Sequence, residues 1–352
     1  MVSKILPIVA LAGAAIAACP LSVEIVDTTH HIAQVAVKNT GAEPVTVFKG
    51  NTVLSGHATK DLLVANTDGE LLPFEGVYVN YKRSGLAPEM FQTILPGETV
   101  TTSVNVARSY KLAGVSTAKV TAIQGFKYVI GSTTPTALKD MADCESVSSS
   151  SVTITPDQST VASDHISKRE LPSSSRIKKR SVTYNSCSTS QTSSLKTSVA
   201  DAISLATAAY TAAGTAADYF TVWFKSTSEE TKVRSIYADV KGVQTTSPAI
   251  YCTDVYGDCA DGSALLYTVP SDNTIIPCPN NGYWDFPEYA TTCADDDYDK
   301  AGSILHEMTH LYGTGDYAYG PTAAKQLSAA QAAANADTYE MYSESVRLGG
   351  CN

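Results

Sequence analysis

A chain of 352 residues with 43% hydrophobic content can bury more than one core, so two domains are expected and wholesale disorder is excluded. Its formal net charge of −10 disfavours nucleic acid as a partner. Beyond residue 18 no stretch of ~18 unbroken apolar residues occurs, so no bilayer span and no stable membrane association are expected.

The opening Met1 to Ala18 carries one early lysine, an apolar run from Ile5 and the small residues Ala15, Ala17 and Ala18. This reads as a cleaved secretory signal (1–18) and places the product outside the cell. Ile16-Ala17-Ala18-Cys19 also fits a bacterial lipoprotein box, a rival address that the basic pairs described below disfavour.

From Cys19 to about residue 130 the apolar residues alternate with period two, as in Val23/Ile25, Val35/Val37, Val45/Val47, Val77/Val79 and Val100/Val104/Val106. An antiparallel β-sandwich is expected there. Residues 131–180 shift to Ser, Thr, Pro and Asp without apolar periodicity, which reads as a linker. It ends in two basic pairs, Lys168-Arg169 and Lys179-Arg180. Such pairs also arise by chance in solvated chain, but here they follow a signal segment and sit at a composition boundary, so processing after Arg180 is expected.

Cleavage there would release residues 181–352, which carry 8 Lys+Arg against 20 Asp+Glu and leave 17 against 15 upstream. A mildly basic prosegment would then be drawn to an acidic enzyme over roughly one Debye length, ~10 Å. Within 181–352, the Ala-rich run Val199 to Phe224 predicts one or two helices, with Ile203, Ala206, Ala209, Tyr210 and Ala213 on the apolar face. Short strands are expected over Ala249–Val255, Ser263–Val269 and Thr274–Pro277. A helix then follows whose first turn holds Asp295, Asp296, Asp297 and Asp299 and which Gly313 stops. A last helix should run from Ser328 to Val346.

The helix ahead of Gly313 carries His306-Glu307-Met308-Thr309-His310. Residues four apart share a helix face, so His306 and His310 can offer two imidazole nitrogens to one metal ion, with Glu307 beside them as a general base. The other four histidines, His30, His31, His57 and His165, all precede Arg180. A third ligand within 181–352 must therefore be a carboxylate, a cysteine or water, and Asp316 lies just beyond a Gly-Thr-Gly turn. The plain alternative makes the two histidines core residues and Asp316 a turn residue. Six cysteines follow Arg180, an even number suited to three disulfides in an oxidising compartment, while Cys19 and Cys144 are left to pair upstream.

These residues resemble the deuterolysin, or neutral protease 2, family of secreted fungal metalloendopeptidases, the aspzincins. The resemblance rests on His306-Glu307-x-x-His310, on Gly313-Thr314-x-Asp316-x-x-Tyr319-Gly320, on Tyr251-Cys252-Thr253-Asp254-Val255-Tyr256-Gly257 and on Asn335-Ala336-Asp337-Thr338-Tyr339. It implies an α+β protein in which a zincin-like, mostly helical catalytic domain with a small sheet follows the β-rich prodomain. It also implies one zinc ion on His306, His310 and Asp316, Glu307 as base, and Tyr319 steadying the oxyanion. Tyr319 simply packed on its turn is the alternative. The implied disulfides are Cys187 with Cys252, Cys259 with Cys278, and Cys293 with Cys351.

Only five residues separate His310 from Asp316, where many relatives have a longer loop, so the shape of the cleft wall should differ. Lysine-specific relatives receive a basic side chain on acidic residues, which here implies Asp337 and Glu340; the alternative is a solvated helix edge or a support for the ligands. The expected product is a monomeric zymogen acting on proteins and peptides, with its own propeptide as partner. A zincin-like binding module without turnover is the competing reading, and retention of Glu307 speaks against it.

Overall fold

The computed structural model describes residues 19–166, 181–215 and 219–351. The expected signal segment and both basic pairs lie outside these residues.

The N-terminal region runs β1 (Leu21–Thr29), β2 (Ile32–Asn39), β3 (Val45–Phe48), β4 (Leu62–Ala65), β5 (Tyr78–Tyr81), β6 (Phe91–Ile94) and β7 (Thr99–Asn105). After the short α1 (Val106–Ser109) come β8 (Ala118–Ile130), β9 (Ala142–Ser148), β10 (Val152–Ile154) and α2 (Val161–Asp164). Two antiparallel sheets form, one of order β1-β2-β7 and one built on β8, which pairs with β3, β4, β9 and β10 while β6 pairs with β3. Period-two alternation turns Leu21, Val23, Val35, Val37, Val45, Val47, Val120 and Ala122 into one shared core. The β-rich region is therefore antiparallel, as its sequence pattern implies.

Two expectations need correction. The supposed linker is folded in its first part: β9 and β10 pair with β8, and Cys144 bonds to Cys19. Its polar residues sit on strands whose partners are fixed elsewhere, so local composition does not reveal them. Val77/Val79 belong to no sandwich strand either, because β5 pairs antiparallel with a strand nearly two hundred residues downstream.

The C-terminal region comprises β11 (Thr183–Asn185), α3 (Thr189–Ala213), α4 (Phe220–Phe224), α5 (Glu230–Lys241), α6 (Val243–Thr246), β12 (Ala249–Tyr251), β13 (Ala264–Val269) and β14 (Thr274–Pro277). It ends with α7 (Lys300–His310), α8 (Gly320–Ala324), α9 (Ala329–Ala332) and α10 (Ala336–Leu348). The sheet order is β11-β12-β14-β13-β5, parallel except for β13. Helix α3 starts at a capping box of Ser188 and Gln191 and packs Leu195, Val199, Ala202, Ala206 and Ala209 against the other helices; Ile203 and Tyr210 sit at the margin of that face. An edge-to-face cluster of Phe220, Phe224, Tyr237, Tyr339 and Tyr342 closes the core.

The expected acidic first turn of α7 is also corrected. Only Asp299 caps the helix, accepting from the Gly302 amide, whereas Asp297 accepts from Thr291 and Thr292 in the preceding loop. The last helix is two helices, broken at Asn335, for a reason that the metal centre supplies. Three disulfides staple this region: Cys187–Cys252, Cys259–Cys278 and Cys293–Cys351.

A third core lies between the two regions. Phe48, Val77, Val79, Tyr81, Phe91 and Met141 from the first pack against Tyr251, Tyr256, Tyr267, Val269, Ile276 and Tyr319 from the second.

Candidate metal centre

Helix α7 is buried over nearly its whole length, so its polar residues must find partners inside the protein. His306 and His310 emerge one turn apart on the same face, with rings crossing at 81° and centroids 4.9 Å apart. Gly313, at φ +100°, takes the left-handed conformation that ends the helix and reverses the chain. The returning segment is clasped by the start of α10: Gly315 donates to the Ala334 carbonyl at 2.8 Å, and the Asn335 side chain accepts from Tyr317 and Ala318 at 2.8 and 3.1 Å. That diversion of Asn335 breaks the helical run at α9 and α10. It also sets Asp316 opposite the histidines.

Asp316 Oδ1 lies 3.4 Å from Nε2 of both His306 and His310. His310 is oriented from behind, with Nδ1 3.2 Å from the Thr314 carbonyl, and His306 Nδ1 lies 2.8 Å from Asp337 Oδ1 and 3.4 Å from Glu340 Oε2. Both imidazoles thus turn Nε2 toward Asp316, the arrangement that outer carboxylate and carbonyl partners impose on metal-binding histidines. His306 Nε2, His310 Nε2 and Asp316 Oδ1 are buried without a hydrogen-bond partner among the described residues. Three such atoms converging on one point are what a tetrahedral ion would satisfy, so the residues fit zinc.

The electrostatics agree. Burial works against a charge on His306, yet Asp316, Asp337 and Glu340 outweigh it and raise its pKa well above the usual value. This excess of buried carboxylates is what a divalent cation would neutralise.

Glu307 is fully buried beside this group. Its Oε2 accepts from the Thr268 hydroxyl of β13 at 2.6 Å, and its Oε1 has no partner among the described residues. Burial pushes its carboxyl up to about 7, against the pull of His306 and His310. A carboxylate poised there can exchange a proton near neutrality. Tyr319 is buried and its hydroxyl donates to the Val79 carbonyl at 2.9 Å; burial, with Asp316 nearby, raises its pKa well above the usual value.

Asp337 and Glu340 are not on a solvated edge. Both are buried, share the Arg83 guanidinium at 3.5 and 3.9 Å, and face His306. Sequence reasoning missed three contributors: Thr268, which holds the base, Asn335, which clasps the turn, and Arg83. The Asn335-Ala336-Asp337 motif was the available signal for the second, whereas nothing local marks the other two.

A family model described as lysine-specific metallo-endopeptidase matches residues 209–344. A neutral protease 2 homolog of Botryotinia fuckeliana is 32% identical to the chain, covering 99% of each. A homolog from Phaeosphaeria nodorum is 31% identical over 99% of each, and one from Sclerotinia sclerotiorum 30% identical over 90% of this chain and 87% of its own. These similarities speak for an enzyme and against a silent binding module. The chain belongs to the neutral protease 2 family and is a zinc metalloendopeptidase.

Proposed function

We propose that the chain is a secreted zymogen: residues 1–18 direct export, the β-rich region ahead of Arg180 is a propeptide, and residues 181–352 are the mature endopeptidase. The single observation that carries the chemistry is the convergence of the partnerless His306 Nε2, His310 Nε2 and Asp316 Oδ1. In this reading those three residues hold zinc. Bound there, the ion would polarise the scissile carbonyl and acidify the attacking water. Glu307 takes the proton and returns it to the departing amine, while Thr268 holds its other oxygen. The Tyr319 phenol donates to the oxygen on which charge develops.

Asp337 and Glu340 support a preference for a basic side chain on the substrate, since the pocket they line already accommodates a guanidinium. The test is digestion of a peptide library by the Ser181–Asn352 product with and without a chelator. Cleavage that the chelator abolishes, with Lys or Arg enriched just after the cut bond and the enrichment weakened in Glu340→Gln, is expected. Chelator-sensitive cleavage with no such enrichment removes the specificity and leaves the activity.

His57 adds a pH dependence to the contact between the two regions. Its ring lies 3.0 Å from Asp258 Oδ1 and 3.2 Å from Asp261 Oδ2; Arg108 is 3.8 Å from Asp258, and the buried Asp61 is nearby. Burial opposes a charge on His57, but the two carboxylates prevail and raise its pKa to about 9. Because the bound value exceeds the free value of ~6.5, the stabilisation is full below pH ~6.5 and is lost as pH rises through about 9. The cleaved propeptide should therefore bind the mature part on the order of 100-fold more tightly at pH 6 than at pH 9.5. Dissociation constants measured across that range check this, and in His57→Gln the difference should shrink.

A further inference from the structure

Strand β5 runs beside the candidate metal centre, paired with β13 and with Tyr78 stacked on His310. Among the described residues β13 is the outer strand that the C-terminal region gives its sheet, and on its far side β5 pairs with it, antiparallel, from Ala264 opposite Tyr81 to Thr268 opposite Tyr78. The Lys82 amide continues the pairing by donating to the Ser263 carbonyl at 2.9 Å. Removed from β5, that edge would present unpaired amides and carbonyls, the template onto which an extended peptide adds as a strand.

The side chains and carbonyls of this segment fill the remaining positions. The Val79 carbonyl takes the Tyr319 hydroxyl, the donor assigned above to the substrate carbonyl. The Tyr78 ring stacks on the His310 imidazole, with centroids 4.5 Å apart and planes 9° from parallel, and so covers the flank of the metal centre. Asn51 donates to the Asp316 carbonyl at 3.3 Å from the same side. Arg83 is 4% exposed, and its guanidinium lies over the Tyr298 ring at 4.5 Å and faces Asp337 and Glu340. The Tyr298 hydroxyl in turn accepts from the Arg83 and Ser84 amides.

We propose that Tyr78–Arg83 is a built-in occupant of the catalytic cleft, which keeps the uncleaved chain latent by strand addition to β13, by Tyr78 capping His310 and by Arg83 filling the acidic pocket. A basic substrate side chain takes the place of Arg83 once the segment leaves. This inference rests on the zymogen reading above and names the residues that enforce it. Burial of a guanidinium with two carboxylates makes Arg83 the anchor, because loss of one partner of a desolvated pair leaves the others uncompensated.

The test uses the full chain held uncleaved by alanine at Lys168, Arg169, Lys179 and Arg180, loaded with one zinc. Its peptidase activity should be on the order of 100-fold or more below that of the Ser181–Asn352 product. Arg83→Gln and Tyr78→Leu should each raise the activity of the uncleaved chain on the order of tenfold, and their combination further. A second readout is independent of turnover: transfer of zinc to a chelator should be faster in both variants, with an unfolding transition still present. An uncleaved parent as active as the product, or a folded double variant that stays latent and holds its zinc as firmly, overturns the inference. A cleaved product inactive on every peptide overturns the proposed function instead.

Discussion

Glu307→Gln should abolish proteolysis, lowering kcat on the order of 10³-fold or more, while the protein keeps its full zinc content. The amide retains the shape of the carboxyl and can still accept from Thr268, whose hydroxyl lies 2.6 Å from Oε2, so the surroundings need not rearrange. It cannot take up a proton. Because Glu307 is not among the three residues whose partnerless atoms converge, nothing is subtracted from the metal site. Metal analysis alongside turnover on the separated 181–352 product decides the matter. Zinc loss parallel to the loss of activity would show that Glu307 is a ligand and the division of roles is wrong.

Asp316→Ala should have the opposite signature, losing zinc itself. Its Oδ1 stands 3.4 Å from both imidazole nitrogens and is the carboxylate oxygen of the converging set, so two neutral histidines would be left to hold a dication. Asp337→Asn provides the graded comparison. It removes the carboxylate 2.8 Å from His306 Nδ1, a loss that lowers metal affinity by about 10–100-fold, and the loss in Asp316→Ala should exceed this. Competition for zinc against a chelator of known affinity measures both. Comparable affinities in the two variants would demote Asp316 from ligand to support.

What could be read from the sequence followed from how far apart the interacting residues lie. His306 and His310 are legible because four residues on a helix fix their common face, and Asp316 because a short glycine turn limits how far the chain can travel. The sandwich strands are legible for the same reason, since period two needs no partner to be recognised. Val77 and Val79 carry that same signal, but period two does not say which sheet a strand joins, and theirs lies beyond the sandwich. The run Ser328 to Ala336 is strongly helix-forming, so the break at Asn335 shows only once its side chain is seen to serve the amides of Tyr317 and Ala318. Arg83 was illegible altogether. A lone arginine before a serine-glycine turn carries no mark of carboxylates more than 250 residues away.

The third core has a consequence in time. Phe48, Val77 and Tyr81 complete it with Tyr251, Tyr256 and Tyr267, so the two regions share apolar surface that neither encloses alone. If the chain is severed between them as proposed, shaping and cutting could not be exchanged in order: the enzyme would reach its form with a part it then surrenders. Once that part has gone, the balance between native and unfolded chain no longer describes how the form was reached. The working lifetime of such an enzyme is set by the height of its unfolding barrier, so it would persist as a kinetically held state and not as one that re-forms after being lost.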